Sequence, residues 1–262
     1  MLGPPIMHHK DAVAVGARGE WDGEMIPSDV TVARESIEWT HERLRTALEG
    51  LTDDDVAAPS RLTGWTRGHV LAHLAGLGSA VVRQVENALT DAPAAPLYDG
   101  GRPARDTAID QGAGGTAAEH VARVGAVLDR VEGAMDLLDE ASLARRTGYH
   151  DLPAAAVVLL WWREASIHLT DLDLGVEHTM WGAALREHLA GYLAVRIPAG
   201  VRLDLDPTDV DEPRRLGDGV PVRLTGAAND LIGWLAGREP LNPVHAEQDG
   251  HQVVLPELGP WP

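Results

Sequence analysis

Apolar residues recur at helical spacing from about Ser28 onward. Val30, Val32, Ile37, Leu44 and Leu48 fall near a 3.6-residue period with Glu and Arg between them, which predicts an amphipathic helix. Gly50 and the acidic run Asp53–Asp55 close it, and that run reads as a solvated turn. Gly64 supplies a turn and Thr66 an N-cap for a second helix reaching about Leu89, with Leu71, Leu74, Leu77, Val81, Val82 and Val85 along it. His69 occupies the position where a capping box carries Glu or Gln, so that signal is incomplete. Residues 91–115, rich in Gly and Pro, read as a long connection of the length often used for function. A third helix follows over about Ala117–Leu138. Gly148 and Pro153 bracket a turn, and Pro153 suits the start of a fourth helix over Ala154–Leu172.

Four long helices between 30 and 172 predict an antiparallel bundle with one long crossover. After Gly175 the pattern changes. A helix near Trp181–Ile197 leads to alternation over Val201–Asp206 and again over Val220–Leu224. Ala227–Leu235 reads as a helix ending at Gly237, and His251–Leu255 as a last strand. The fold class is therefore α+β. The expected organisation is an N-terminal extension over 1–27, a helix bundle over 28–175 and a smaller α+β domain over 176–262. The extension lacks periodicity, and its His8 and His9 read as tail residues rather than ligands.

Composition narrows the function classes. The chain has 262 residues and a formal net charge of −18, which disfavours nucleic acid and anionic membrane as partners. It contains no cysteine, so disulfides, iron–sulfur clusters, zinc–thiolate sites and a cysteine nucleophile are excluded. Any thiol chemistry has to draw its thiol from outside the chain. The N-terminus has no basic head followed by a long apolar run, and the longest apolar candidate, Ala154–Trp162, stops at Arg163 and Glu164. The expectation is a cytoplasmic protein without a membrane span. No G-x-S-x-G elbow, G-x-G-x-x-G or P-loop is present.

The informative polar residues sit on two separate helices. Glu164 and His168 are four apart on the fourth helix, which places both on one face. His73 lies among Leu71, Leu74 and Leu77 on the second. If those helices meet in the core, two imidazoles and a carboxylate converge. That set suits Zn²⁺ with an open fourth position, and equally non-haem Fe(II). The bland alternatives are an exposed Glu/His pair and a core histidine. Asp171, three residues after His168, is either a partner for a ligating imidazole or a surface residue near a helix end. His69, on the face of His73, is either a further ligand or a first-turn residue bonding backbone or solvent.

Four stretches in order carry a family resemblance. Gly64-Trp65-Thr66-Arg67 followed by His73 resembles the G-W-[ST]-x-x-x-[LV]-x-x-H stretch of mycothiol-dependent maleylpyruvate isomerases. Arg163-Glu164 with His168 and Asp171-Leu172 resembles that family's R-E-x-x-x-H-x-x-D-L. Residues Tyr98–Asp106 look like the loop after its second helix, and Trp234–Arg238 like the end of its C-terminal domain. The resemblance covers about residues 28–240. It implies a DinB-like metal-binding four-helix bundle followed by a smaller sterol-carrier-like α/β domain. It implies His73, Glu164 and His168 as zinc ligands, Arg105 and Arg238 as substrate-anchoring cations, and mycothiol as the thiol cosubstrate. Residues 1–27 exceed what the family carries at its N-terminus.

The activity so implied is cis–trans isomerisation: a thiolate adds to an activated alkene such as that of maleylpyruvate, the new single bond rotates, and elimination returns the trans isomer. The expected substrate is a small anionic electrophile. A rival within the same chemistry is a mycothiol S-transferase that leaves the adduct intact on an electrophile. A rival of another class is a non-catalytic module binding a metal or a lipophile.

Overall fold

The computed structural model describes residues 26–90 and 92–262. The extension expected over 1–27, with His8 and His9, lies outside these apart from its last two residues, which begin the first helix. The contacts divide the chain after Glu177 into two compact units.

The first unit is helical. Its long helices are α1 (Ile26–Ala47), α3 (Arg67–Thr90), α5 (Ala117–Asp136) and α7 (Ala154–Asp171), with shorter α2 (Asp53–Ala57), α4 (Gly101–Ala113) and α6 (Glu140–Leu143) between them. α3 packs on α5, α7 and α4, and α1 packs along α7. Each helix turns a wholly buried stripe inward: Ile37 and Leu44 from α1, Leu71, Leu74, Val81 and Val85 from α3, Val124, Leu128 and Val131 from α5, and Trp161, Ala165 and Leu169 from α7. The 3.6-residue spacing picks out these positions, but Val32, expected on the stripe of α1, is 39% exposed.

Two expectations are corrected here. The Asp53–Asp55 run is not a solvated turn but the first turn of α2. Thr52 and Asp55 form a reciprocal capping box there, and acidic groups at a helix N-terminus complement its dipole. Asp53 also accepts the backbone N–H of Ala117 at 2.7 Å, pinning the start of α5. The connection over 91–115 is half helix. Pro103 falls in the first turn of α4, where a missing N–H costs nothing, and Gly100 precedes it with φ of 78°. Gly68 of α3 lets α4 come close, because a Cβ at that residue would stand 2.2 Å from the carbonyl oxygen of Ala113.

The second unit confirms the α+β class. It begins with a 3₁₀ turn at His178–Met180 and α8 (Ala183–Leu193), which gives way to a further 3₁₀ turn at Ala194–Arg196. The single helix expected over Trp181–Ile197 is thus shorter at both ends. Five strands follow: β1 (Gly200–Pro207), β2 (Arg214–Gly217), β3 (Gly219–Gly226), β4 (His245–Gln248) and β5 (His251–Val253), with α9 (Ala228–Leu235) between β3 and β4. Their order is β2-β1-β3-β4-β5. β1 and β3 run parallel and the other pairs antiparallel. β2 and β4 were not expected from the sequence, and β5 stops two residues short of the expected Leu255. Gly219 pairs with Gly200 where the chain passes from β2 to β3. A Cβ at Gly219 would lie 2.2 Å from the Gly200 carbonyl, so no other residue fits that crossing. Alternate residues Leu203, Leu205, Val222 and Leu224 are buried, as are Leu231, Ile232 and Leu235 of α9, which packs on β1 and β3. Buried Asp230 holds the far end together. It meets His178 Nε2 at 2.9 Å and accepts from the Leu241 N–H and the Asn242 side chain.

Among the described residues, no helix is long and apolar enough to cross a membrane.

Candidate metal centre and active site

α3 and α7 meet where both carry histidine. His73 is 2% exposed, while Glu164 and His168 keep 14% and 12% of their side-chain surface exposed. One donor atom from each lies within 4.8 Å of the other two. His73 Nε2 is 3.4 Å from Glu164 Oε2, and His168 Nε2 is 3.5 Å from the same oxygen. The two imidazoles stand edge to face with centroids 4.6 Å apart. These N···O separations exceed an ordinary hydrogen bond of about 2.7–3.2 Å. They match the spacing of two ligands sharing one ion: bonds of about 2.0–2.2 Å at a tetrahedral angle set neighbouring donors about 3.4 Å apart. The donor set and its spacing both fit a divalent metal.

The surroundings shift His73 and Glu164 toward their ligating forms and His168 toward its charged form. Burial pulls the His73 imidazole down to about 4, against the pull of Glu164. Burial alone would push the Glu164 carboxyl up, but His168, His73 and Arg163 hold it well below the usual carboxylate range. His168 is raised: burial works against its charge, yet Asp171 and Glu164 together outweigh that. Asp171, wholly buried, meets His168 Nδ1 at 2.9 Å. It is therefore a partner of the imidazole, not a surface residue, and it fixes the ring with Nε2 toward Glu164. Asp171→Asn keeps the shape and removes the charge. The expected result is a zinc affinity about 10–100-fold weaker in chelator competition with the fold unchanged; an unaltered affinity would mean Asp171 has no orienting role.

His69 is a first-turn residue rather than a further ligand. Its Nδ1 accepts from the Thr66 N–H at 3.2 Å and pairs with the Thr66 hydroxyl at 2.8 Å, while its own N–H points back at that hydroxyl. An imidazole thus completes the capping box in place of a carboxylate.

Arg105, on α4, reaches the centre. One guanidinium nitrogen lies 3.3 Å from His73 Nδ1 and the other donates to Asp106 at 2.8 Å. Arg238 belongs to the second unit, just after α9. It donates to the Ala236 carbonyl at 2.6 Å and lies 5.5 Å over the Trp261 ring, with Arg196 5.7 Å from the same ring. Arg196 and Gly259 exchange two hydrogen bonds that tie down this C-terminal stretch.

Two residues at the centre escaped the sequence reading as site residues, although both lay inside its motifs. Trp65 stacks on His69 and stands edge-on to His73, with centroids 6.0 and 5.9 Å away. Tyr98 lies under the Arg105 guanidinium, 5.9 Å from its central carbon. Burial pushes the Tyr98 phenol up to about 12, Arg105 opposing and Glu164 adding.

No individually curated protein is significantly similar to the chain. The crystal structure of the mycothiol-dependent maleylpyruvate isomerase is similar, at 20% identity and a TM-score of 0.75, over 88% of this chain and 97% of that one. The structure of a histidine-to-alanine mutant of that isomerase matches equally, at 19% identity. At such identities the likeness speaks for the fold. The sequence family described as the mycothiol maleylpyruvate isomerase N-terminal domain matches residues 38–173, just over half of the chain, and the protein belongs to that family.

Proposed function

We propose that the protein is a cytoplasmic, zinc- and mycothiol-dependent enzyme of the maleylpyruvate isomerase type, catalysing cis–trans isomerisation by reversible addition of an external thiol to an activated alkene. The observation that carries this reading is the convergence of His73, Glu164 and His168 at ligand spacing around Glu164 Oε2. His73, Glu164 and His168 would hold a divalent ion, and a set of three protein donors is that of a catalytic rather than a structural site. A divalent ion held there supplies the Lewis acidity that keeps a bound thiol deprotonated at neutral pH. The chain has no cysteine of its own, so the thiol arrives as cosubstrate.

The remaining tasks fall to side chains. His73, Glu164 and His168 hold the metal, and Asp171 fixes His168. Arg105 is 27% exposed beside the triad. Its planar fork suits a substrate carboxylate and offsets the enolate-like charge that thiol addition develops. Arg238, in the domain over 176–262, is proposed as a second substrate-anchoring cation, the bundle spanning 28–175. Tyr98 stays protonated through the neutral range and remains a hydrogen-bond donor beside Arg105.

The test is product analysis with maleylpyruvate and mycothiol. The expected product is the trans isomer with the thiol regenerated, formed only when metal and thiol are both present. A stable thioether would make the protein an S-transferase. Turnover without thiol would contradict the reading altogether.

A further inference from the structure

Arg196 follows α8 and is anchored by uncharged groups. Its Nε donates to the Gly259 carbonyl at 2.9 Å and its Nη1 to the Leu235 carbonyl at 2.6 Å, and its guanidinium lies 5.7 Å from the centre of the Trp261 ring. None of these partners, all among the described residues, carries negative charge. The arginines of the neighbouring sheet differ: Arg202 and Arg215 meet Asp204, and Arg223 meets Asp206. Burial opposes the charge of Arg196, and Arg238 opposes it further, so both hold its pKa below the ordinary arginine value. The second cation is close for a structural reason. Gly237, with φ of 75°, has no side chain where the head of Arg196 lies, and a Cβ there would stand 3.3 Å from Nη1. Arg238 is the next residue, and its guanidinium lies 5.5 Å over the same Trp261 ring.

We propose that Arg196 and Arg238 form one carboxylate-binding site within the second unit, with the Trp261 ring beneath both, and that a single carboxylate of a small anionic substrate is shared between them. The negative face of an indole attracts each guanidinium and so gathers the two cations despite their repulsion. An anion held by both removes that repulsion. It also meets donors that the protein leaves available, because a guanidinium has about five N–H groups and Arg196 spends two bonds on carbonyls. Forked donors match the geometry of a carboxylate, which a lone ammonium does not. Arg196 is tied on two sides, to Gly259 and to Leu235, so its fork is already in place before an anion arrives. The inference rests on the reading of Arg238 as a substrate-anchoring cation and adds Arg196 and Trp261 to it.

The test reads binding rather than turnover. The side-chain Nε–H signals of the full chain, labelled with ¹⁵N-arginine, are followed by NMR as succinate, an unreactive dicarboxylate, is added. The two signals are assigned by their absence in Arg196→Lys and Arg238→Lys. Both are expected to move on one saturation curve, and neither to move with neutral succinamide or with chloride at equal ionic strength. In Arg196→Met the succinate concentration that half-shifts the Arg238 signal is expected to rise about tenfold or more, the scale of one hydrogen bond from a charged group. Arg196→Lys keeps the charge without the fork, and its rise is expected to be smaller. A response from Arg238 alone in the wild type, or a half-shift unchanged in Arg196→Met, overturns the shared site and leaves Arg238 standing as an anchor. A response from neither signal, or an equal response to chloride, overturns both.

Discussion

His73→Ala is expected to give a folded protein that no longer retains zinc. Three donors are the fewest that hold a catalytic ion firmly, and His73 supplies the only one from α3. Without it, Glu164 and His168 remain as an i, i+4 pair on a single helix, and the ion loses the bond that spans the two helices. Removal of a group outside the coordination sphere typically costs 10–100-fold in affinity, so removal of a ligand should cost more than about 100-fold. The fold survives because the imidazole is one polar side chain in a face otherwise secured by Leu71, Leu74 and Leu77, all of them buried. The local penalty is that of an ordinary buried substitution, about 1–3 kcal/mol. Metal analysis of the purified variant, beside circular dichroism, checks this. One zinc per chain in the variant would remove His73 from the ligand set.

Trp161→Ala is the substitution expected to cost most in stability. The indole is wholly buried in α7, one turn before Glu164. It donates to His41 Nε2 of α1 at 2.8 Å. His41 in turn meets Glu132 of α5 at 2.7 Å through Nδ1. The ring also fills the place left by Gly78 of α3, where a Cβ would stand 3.0 Å from it. One side chain therefore joins the four long helices of the bundle. Its truncation should cost about 3–5 kcal/mol for the cavity, with about 1–3 kcal/mol more for the buried imidazole nitrogen left without a donor. Trp161→Phe restores part of the volume but not the N–H, and should fall between. Urea unfolding of the three proteins measures the series. A Trp161→Ala midpoint close to that of the wild type would contradict this account of the core.

The candidate site was legible where its signals were periodic and local. The four-residue step from Glu164 to His168 fixes a shared helix face, and His73 stood out as the polar member of an apolar stretch. What a single sequence leaves open is which helices meet, because apolar stripes are interchangeable. Only the packing of α3 on α7 brings His73 to the pair. α4 was missed for a definite reason. Gly100, Gly101 and Pro103 look like breakers, yet at a helix start glycine supplies the turn and proline the first φ, so the same residues begin a helix. That miss matters, because α4 carries Arg105. β2 and β4 are four residues each, and Arg214-Arg215-Leu216-Gly217 has no apolar alternation to find. His69 shows the reverse case. Its place in the capping pattern was visible, and the structure shows that an imidazole can fill the role of the missing carboxylate.

The most direct test of the central claim is the near-ultraviolet spectrum of the cobalt(II)-substituted protein before and after addition of mycothiol. Cobalt takes the place of zinc in N/O sites and reports its ligands optically. One cobalt per chain, with a thiolate-to-metal charge-transfer band appearing on addition of the thiol, is the predicted result. It would show that the His73–Glu164–His168 centre holds a metal with an open position and that an external thiol fills it as thiolate. Cobalt bound at that centre with a spectrum indifferent to the thiol would contradict the account.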